Sequence, residues 1–263
     1  MAKVRYERSG AAAVLTINRP ERRNAVDAET AELLLEGFRG FEAEDDARVL
    51  VLTGSGPEAF CAGADLKAIA EVGGEVPAER IEAVSERPEG PMGFTRLAAS
   101  KPTIAAISGW CLAGGLELAL WCDLRIASET ARLGYPERRW GVPLIDGGTQ
   151  RLPRIVGQGR ALEMILTGRI VEAAEALGWG LVNEVVRPGA HVDRALQLAE
   201  GLAGFPQETM ISDRRAALEG LGLSLDRALE LEAELGQRSI EVGIRGAERF
   251  AGGEGRHGEG AGA

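Results

Sequence analysis

The sequence predicts an α/β fold on three observations. Short apolar, β-branched runs alternate with turns and amphipathic stretches through the first half of the chain. Gly, Pro and Asn close those runs. From about Thr149 onward the pattern turns helical, so a sheet core precedes a helical C-terminal region.

Ala12 to Ile17 is a strand ended by Asn18-Arg19-Pro20, and Val4 to Arg8 can pair with it at an edge. Asp27 is placed to cap a helix whose apolar positions Ala31, Leu34, Leu35, Phe38 and Phe41 share one face. Val49 to Thr53 reads as a buried strand closed by Gly54-Ser55-Gly56, and Thr103 to Ser108 and Leu124 to Ala127 read as two more. Farther on, Val192, Ala195, Leu196, Ala199, Leu202 and Ala203 fall on one helical face, and Ser224 is placed to cap the last long helix. Residues 1–200 are expected to form the α/β core, 201–250 a helical region, and 251–263 a disordered Gly-rich tail. Gly73 to Met92, rich in Pro, Gly and charge, is expected to be a mobile loop around a helix. The tail contains a G-x-G-x-x-G match at Gly253 to Gly258, but no strand precedes it and no helix follows, so it is an accident of composition.

Composition narrows the function. The 263 residues suit one large domain, or one with a small appendage. A net charge of -10 and only 5% aromatic residues argue against a nucleic-acid surface, although a few local Arg or Lys side chains can still meet a phosphate. No apolar run approaches the ~20 residues that span a bilayer. The N-terminal residues lack the apolar stretch of a signal peptide. Three cysteines without framework spacing read as reduced thiols in a reducing compartment. The expectation is a cytoplasmic protein. Of two histidines, His257 lies in the tail and His191 opens an amphipathic helix, where it reads as solvent-exposed. A histidine triad or metal centre is therefore not expected, and catalysis is left to carboxylates and backbone dipoles.

Three segments carry that chemistry. Ala59-Phe-Cys-Ala-Gly-Ala-Asp-Leu-Lys67 is a small-residue turn whose free N–H groups can face a ligand, though it can equally be a plain tight turn. In Ser108 to Asp123, Ala113-Gly114-Gly115 opens a strongly apolar helix and exposes N–H groups at its positive end, a site for an oxyanion. Glu117 follows in the first turn, where it can serve chemistry or simply complement the helix dipole. Leu133-Gly-Tyr-Pro-Glu137 then places a second glutamate after a turn, where taken alone it reads as a surface residue, and Gly147-Gly148-Thr-Gln-Arg-Leu152 follows it.

Taken together, these segments, with Asn18-Arg-Pro20 and Asn24-Ala25, resemble the enoyl-CoA hydratase/isomerase (crotonase) family in order and spacing from about Val4 to Phe250. The resemblance implies a spiral of repeated β-β-α units with C-terminal helices that pack homo-trimers, and in many members a hexamer formed as a dimer of trimers. It implies an acyl-CoA thioester substrate, no cofactor beyond the coenzyme A of that substrate, and no metal. The oxyanion-hole N–H donors map to Ala64 and Gly114 and the catalytic pair to Glu117 and Glu137. Coenzyme A would run along Arg22, Ala25, Ala62, Asp65, Leu66 and Lys67, with Arg22 or Lys67 meeting phosphates unless both are plain surface charges.

Two glutamates favour hydration of a trans-2-enoyl-CoA, with double-bond isomerisation, thioester hydrolysis or acyl-CoA binding without turnover as alternatives. Three departures bear on that reading. Ala113 stands where hydratases commonly have Gly, and Arg138-Arg139-Trp140 replaces an aliphatic run. Ile145-Asp146 replaces Gly-Ala, bringing bulk and a third carboxylate toward the acyl pocket unless Asp146 caps the helix that follows.

Overall fold

The computed structural model describes residues 2–71 and 87–254. The expected mobile loop and the expected disordered tail both fall largely outside the described residues; of the tail only 251–254 are described, and Ala251 closes the last helix. The chain divides into two compact units, Met1–Leu196 and Gln197–Ala263.

In the first unit β1 (Val4–Ser9), β2 (Ala12–Ile17), β3 (Val49–Gly54), β5 (Thr103–Ile107), β7 (Leu124–Ser128) and β10 (Glu184–Val186) form one sheet in that order. Only β1 and β2 pair antiparallel, and the remaining neighbours are parallel. Strands β3 and β5 are buried along their whole length, as a parallel sheet covered on both faces requires. A smaller sheet holds β4 (Ala59–Cys61), β6 (Trp110–Leu112), β8 (Arg132–Gly134) and β9 (Ile170–Glu172). The chain thus lays one strand in the large sheet, the next in the small sheet, then turns into a helix, and repeats this. After β3 and β4 comes α2 (Leu66–Glu71), and after β5 and β6 comes α3 (Gly114–Trp121). After β7 and β8 comes a short 3-10 turn (Pro136–Trp140) leading to α4 (Gly148–Val156). This is the β-β-α spiral that the resemblance implied.

The first helix, α1 (Ala28–Ala43), is capped as expected: the Asp27 carboxylate accepts from the Thr30 N–H at 2.9 Å. Its Phe38 packs on Phe94 (centroids 5.2 Å apart) and on Trp121 of α3 (5.5 Å). Phe94 anchors the segment 87–97 in the core, and the Trp121 indole N–H donates to Leu97 O at 2.7 Å. Cys61, Cys111 and Cys122 are buried free thiols.

The second unit contains α8 (Gln207–Glu219), α9 (Leu225–Arg238) and α10 (Ile240–Ala251), which follow α5 (Gln158–Thr167), α6 (Ala173–Trp179) and α7 (His191–Gly204) in the chain. Ser224 caps α9 as expected, but α9 is not the last helix: it ends at Arg238 and α10 follows. His191, read from the sequence as exposed, is buried. It stands four and eight residues before the buried Ala195 and Ala199, on the same helical face, and burial lowers the pKa of its imidazole. Among the described residues no helix is long and apolar enough to cross a membrane.

Candidate active site

The turn after β4 and the start of α3 lie against each other, and glycine makes the approach possible. A Cβ added to Gly63, at φ +93°, would stand 2.8 Å from Ala113 Cβ and 3.0 Å from Gly114 N. One added to Gly115 would collide with Cys61 O at 2.1 Å. Across the turn, Val26 N–H donates to Gly63 O and Asp65 N–H donates to Val26 O, both at 2.9 Å. Strand alternation then points the intervening Ala64 N–H away from Val26. Ala113 holds φ 52° and ψ -127°, a conformation that turns the next peptide away from the helical path, and Gly114 begins the helix. Neither the Ala64 nor the Gly114 N–H has an acceptor among the described residues. Two unpaired backbone donors therefore meet at the positive end of a helix.

Glu117 lies one turn into α3 and is 2% exposed. Its Oε1 accepts from Asp146 N–H at 3.0 Å and from Gly148 N–H at 2.8 Å. The carboxylate is thus captured by the N-terminus of α4, which fixes its direction and supports its charge. Burial nevertheless raises its pKa to about 7, and the Asp146 and Glu137 charges push the same way. Glu137, in the 3-10 turn, is 5% exposed, and neither carboxyl oxygen has a protein partner among the described residues. Burial raises it to about 7 as well, opposed by the nearby Arg138.

Asp146 does not cap α4. The cap is Gly147, at φ +100°, with no side-chain cap bond. Asp146 is buried, and its Oδ1 accepts from Met92 N–H at 2.9 Å and from the Thr95 hydroxyl. It fastens segment 87–97 to the loop that holds Glu117. Arg151, whose guanidinium donates to Asp146 O at 2.9 Å and Thr95 O at 2.6 Å, closes the same junction. Met92 in turn abuts the proposed donor Gly114, since a Cβ there would meet Met92 Sδ at 2.8 Å. Ile145 is partly exposed, and its carbonyl accepts from Arg96 Nη2 at 2.9 Å.

Of the residues expected along coenzyme A, Arg22, Leu66 and Lys67 are exposed, Ala62 is half-buried and Ala25 is buried. The Asp65 side chain points inward: it accepts from Arg19 Nη2 at 2.9 Å and from Ala68 N–H at 3.3 Å. Its backbone is engaged as well, the N–H with Val26 O and the carbonyl with Ile69 N–H at 3.0 Å, so Asp65 shapes the turn and offers no free group to a ligand. Asn24, in a left-handed conformation at φ 55°, holds this turn through bonds to Ser55 O at 3.0 Å and Ala59 O at 2.7 Å. Arg19, Met92, Thr95 and Arg151 were given no role from the sequence, because their roles depend on partners distant along the chain. Among the described residues, no group of three His, Cys, Asp or Glu could hold a metal ion.

The model of the enoyl-CoA hydratase/isomerase family matches residues 7–251. The chain belongs to this family. It is 37% identical to the short-chain-enoyl-CoA hydratase of Clostridium acetobutylicum, covering 87% of this chain and 85% of that one. It is 38% identical to the (E)-benzylidenesuccinyl-CoA hydratase of Thauera aromatica, over 86% of each. The crystal structure of enoyl-CoA hydratase EchA1 from Mycobacterium marinum superposes with a TM-score of 0.84 at 34% identity over 95% of each chain. Relatives within the enoyl-CoA hydratase/isomerase family thus share nearly the whole fold and carry names with different acyl groups.

Proposed function

We infer that the chain is an enoyl-CoA hydratase, adding water across the 2,3 double bond of a trans-2-enoyl-CoA to give a 3-hydroxyacyl-CoA. The observation that carries this reading is the pair of buried glutamates, both with pKa raised to about 7, on elements adjoining two unpaired N–H donors. In this reading the Ala64 and Gly114 N–H groups receive the thioester oxygen, which makes C3 electrophilic and stabilises the enolate. Glu117, fixed by two amide N–H groups, takes a proton from water as the water oxygen bonds to C3. Glu137, protonated, gives its proton to C2. Together the two transfers add one water and leave Glu117 protonated and Glu137 ionised until both exchange with solvent. Two carboxyls titrating near neutrality suit one base and one acid at working pH.

Asp146 raised isomerisation and thioester hydrolysis as alternatives. Its bonds to Met92 and Thr95 support a positioning role and leave Glu117 and Glu137 as the reacting pair. Arg22 and Lys67 are exposed beside the turns assigned to coenzyme A and are suited to meet its phosphates. The reading extends to a cytoplasmic homo-trimer or dimer of trimers, supported by exposed Leu221, Leu225, Leu229, Ile240 and Ile244 in the second unit. The direct test is a panel of trans-2-enoyl-CoAs of different length and branching, followed by loss of the enoyl-thioester absorbance. Turnover of at least one is expected, and no turnover with any, despite binding, would favour a non-catalytic acyl-CoA binder.

A further inference from the structure

One buried polar atom has no part in the chemistry so far. Tyr135 links β8 to the turn that carries Glu137 and is fully buried. Its hydroxyl has no protein hydrogen-bond partner among the described residues. Packing alone does not account for that oxygen, since phenylalanine would fill the same volume without leaving a polar atom unpaired.

The hydroxyl stands beside Glu117. A single point, the Cβ position of Gly148, lies 2.5 Å from the Tyr135 hydroxyl, 2.9 Å from Glu117 Cγ and 3.0 Å from Glu117 Oε1. Gly148 is also the residue whose N–H holds that carboxylate. Burial, then the charges of Glu117 and Glu137, push the phenol well above its ordinary range, so it stays protonated and able to donate.

We propose that the Tyr135 hydroxyl binds the oxygen that is added to C3: the attacking water in one direction, the 3-hydroxyl group in the other. The identity of that oxygen rests on the hydratase reading. A water that accepts from Tyr135 and donates to Glu117 keeps a second lone pair for C3. No bond to Tyr135 forms or breaks, so its role is to orient.

The test compares 3-hydroxybutyryl-CoA with butyryl-CoA by calorimetry in the Glu137→Gln background, where turnover is blocked. With Tyr135 present the hydroxy ester should bind more tightly. Adding Tyr135→Phe should shrink that preference by roughly 3- to 10-fold, the worth of one hydrogen bond, with butyryl-CoA affinity nearly unmoved. In the otherwise native enzyme, Tyr135→Phe should lower kcat for hydration while thermal stability holds or rises. Absence of a hydroxyl preference with Tyr135 present, or a preference untouched by Tyr135→Phe, would overturn the proposal. So would equal weakening of both esters, the mark of a purely structural residue. If the native protein hydrates no enoyl-CoA and the binding preference still depends on Tyr135, the hydroxyl site stands and the hydratase reading falls.

Discussion

Glu117 and Glu137 are buried for a purpose that costs stability. A carboxylate whose pKa rises from 4.5 to about 7 on folding is held more readily as the acid in the native state. The native state therefore binds more protons than the unfolded chain between those values, and stability falls as pH rises through that window. Glu137→Gln should remove the penalty. The variant should be more stable than the parent at pH 8, by up to about 3 kcal/mol, and lose that advantage near pH 4.5. Thermal melts at the two pH values check this, and a variant equally stable relative to the parent at both would contradict it. In the parent, kcat/KM should trace a bell with its maximum near neutrality. It should fall on the acid side as the pair becomes doubly protonated and on the alkaline side as it becomes doubly ionised. Both glutamates were assigned through the resemblance, since taken alone Glu117 could merely complement the helix dipole and Glu137 reads as a surface residue. The partners of Asp146 were not legible: Met92 and Thr95 lie 54 and 51 residues away, and neither the cap nor the acyl-pocket reading anticipated them.

Among the elements, the loop 141–148 and the segment 87–97 act as one clamp. Both bonds to Asp146 land on the same oxygen, Oδ1, so Asp146→Asn can keep them while removing the charge. The Asp146 charge raises Glu117, so Asp146→Asn should move the acidic limb of the pH profile to lower pH with little loss of stability. Asp146→Ala removes the acceptor altogether and should cost about 2–4 kcal/mol in chemical denaturation, with activity falling as the clamp loosens. Identical behaviour of the two variants would argue against this division. The opening of α3 gives a second prediction. Ala113, at φ 52° and ψ -127°, occupies a conformation natural to glycine. Ala113→Gly should leave kcat intact and change stability by about 1 kcal/mol or less in either direction, relief of strain opposing lost chain stiffness. A large loss in a denaturant melt would show that the methyl packs more than it strains. The long strands were readable as continuous apolar runs and α1 from its periodicity. The second strand of each β-β-α unit was not, because β4, β6 and β8 are three residues long and too short to show a period.

For the whole molecule, the spiral came from resemblance and not from repetition, since the units share a fold without sharing a sequence pattern. The same geometry brings the turns after β4 and β6 together, which is why glycines 63 and 115 sit where backbones touch. The exposed leucines and isoleucines of the second unit predict self-association: light scattering should report three or six times the 27.8 kDa chain mass. A monomer at micromolar concentration would contradict this. The central claim, that a proton held by Glu137 completes water addition to an enoyl thioester, is tested most directly by one comparison. Crotonoyl-CoA is mixed with the parent and with Glu137→Gln, decay of the enoyl absorbance is followed, and CoA-ester affinity is measured alongside. Rapid decay is expected with the parent, a loss of ~10²–10⁴ in kcat with the variant, and nearly equal affinity for both. A variant that hydrates at close to the parental rate would contradict it.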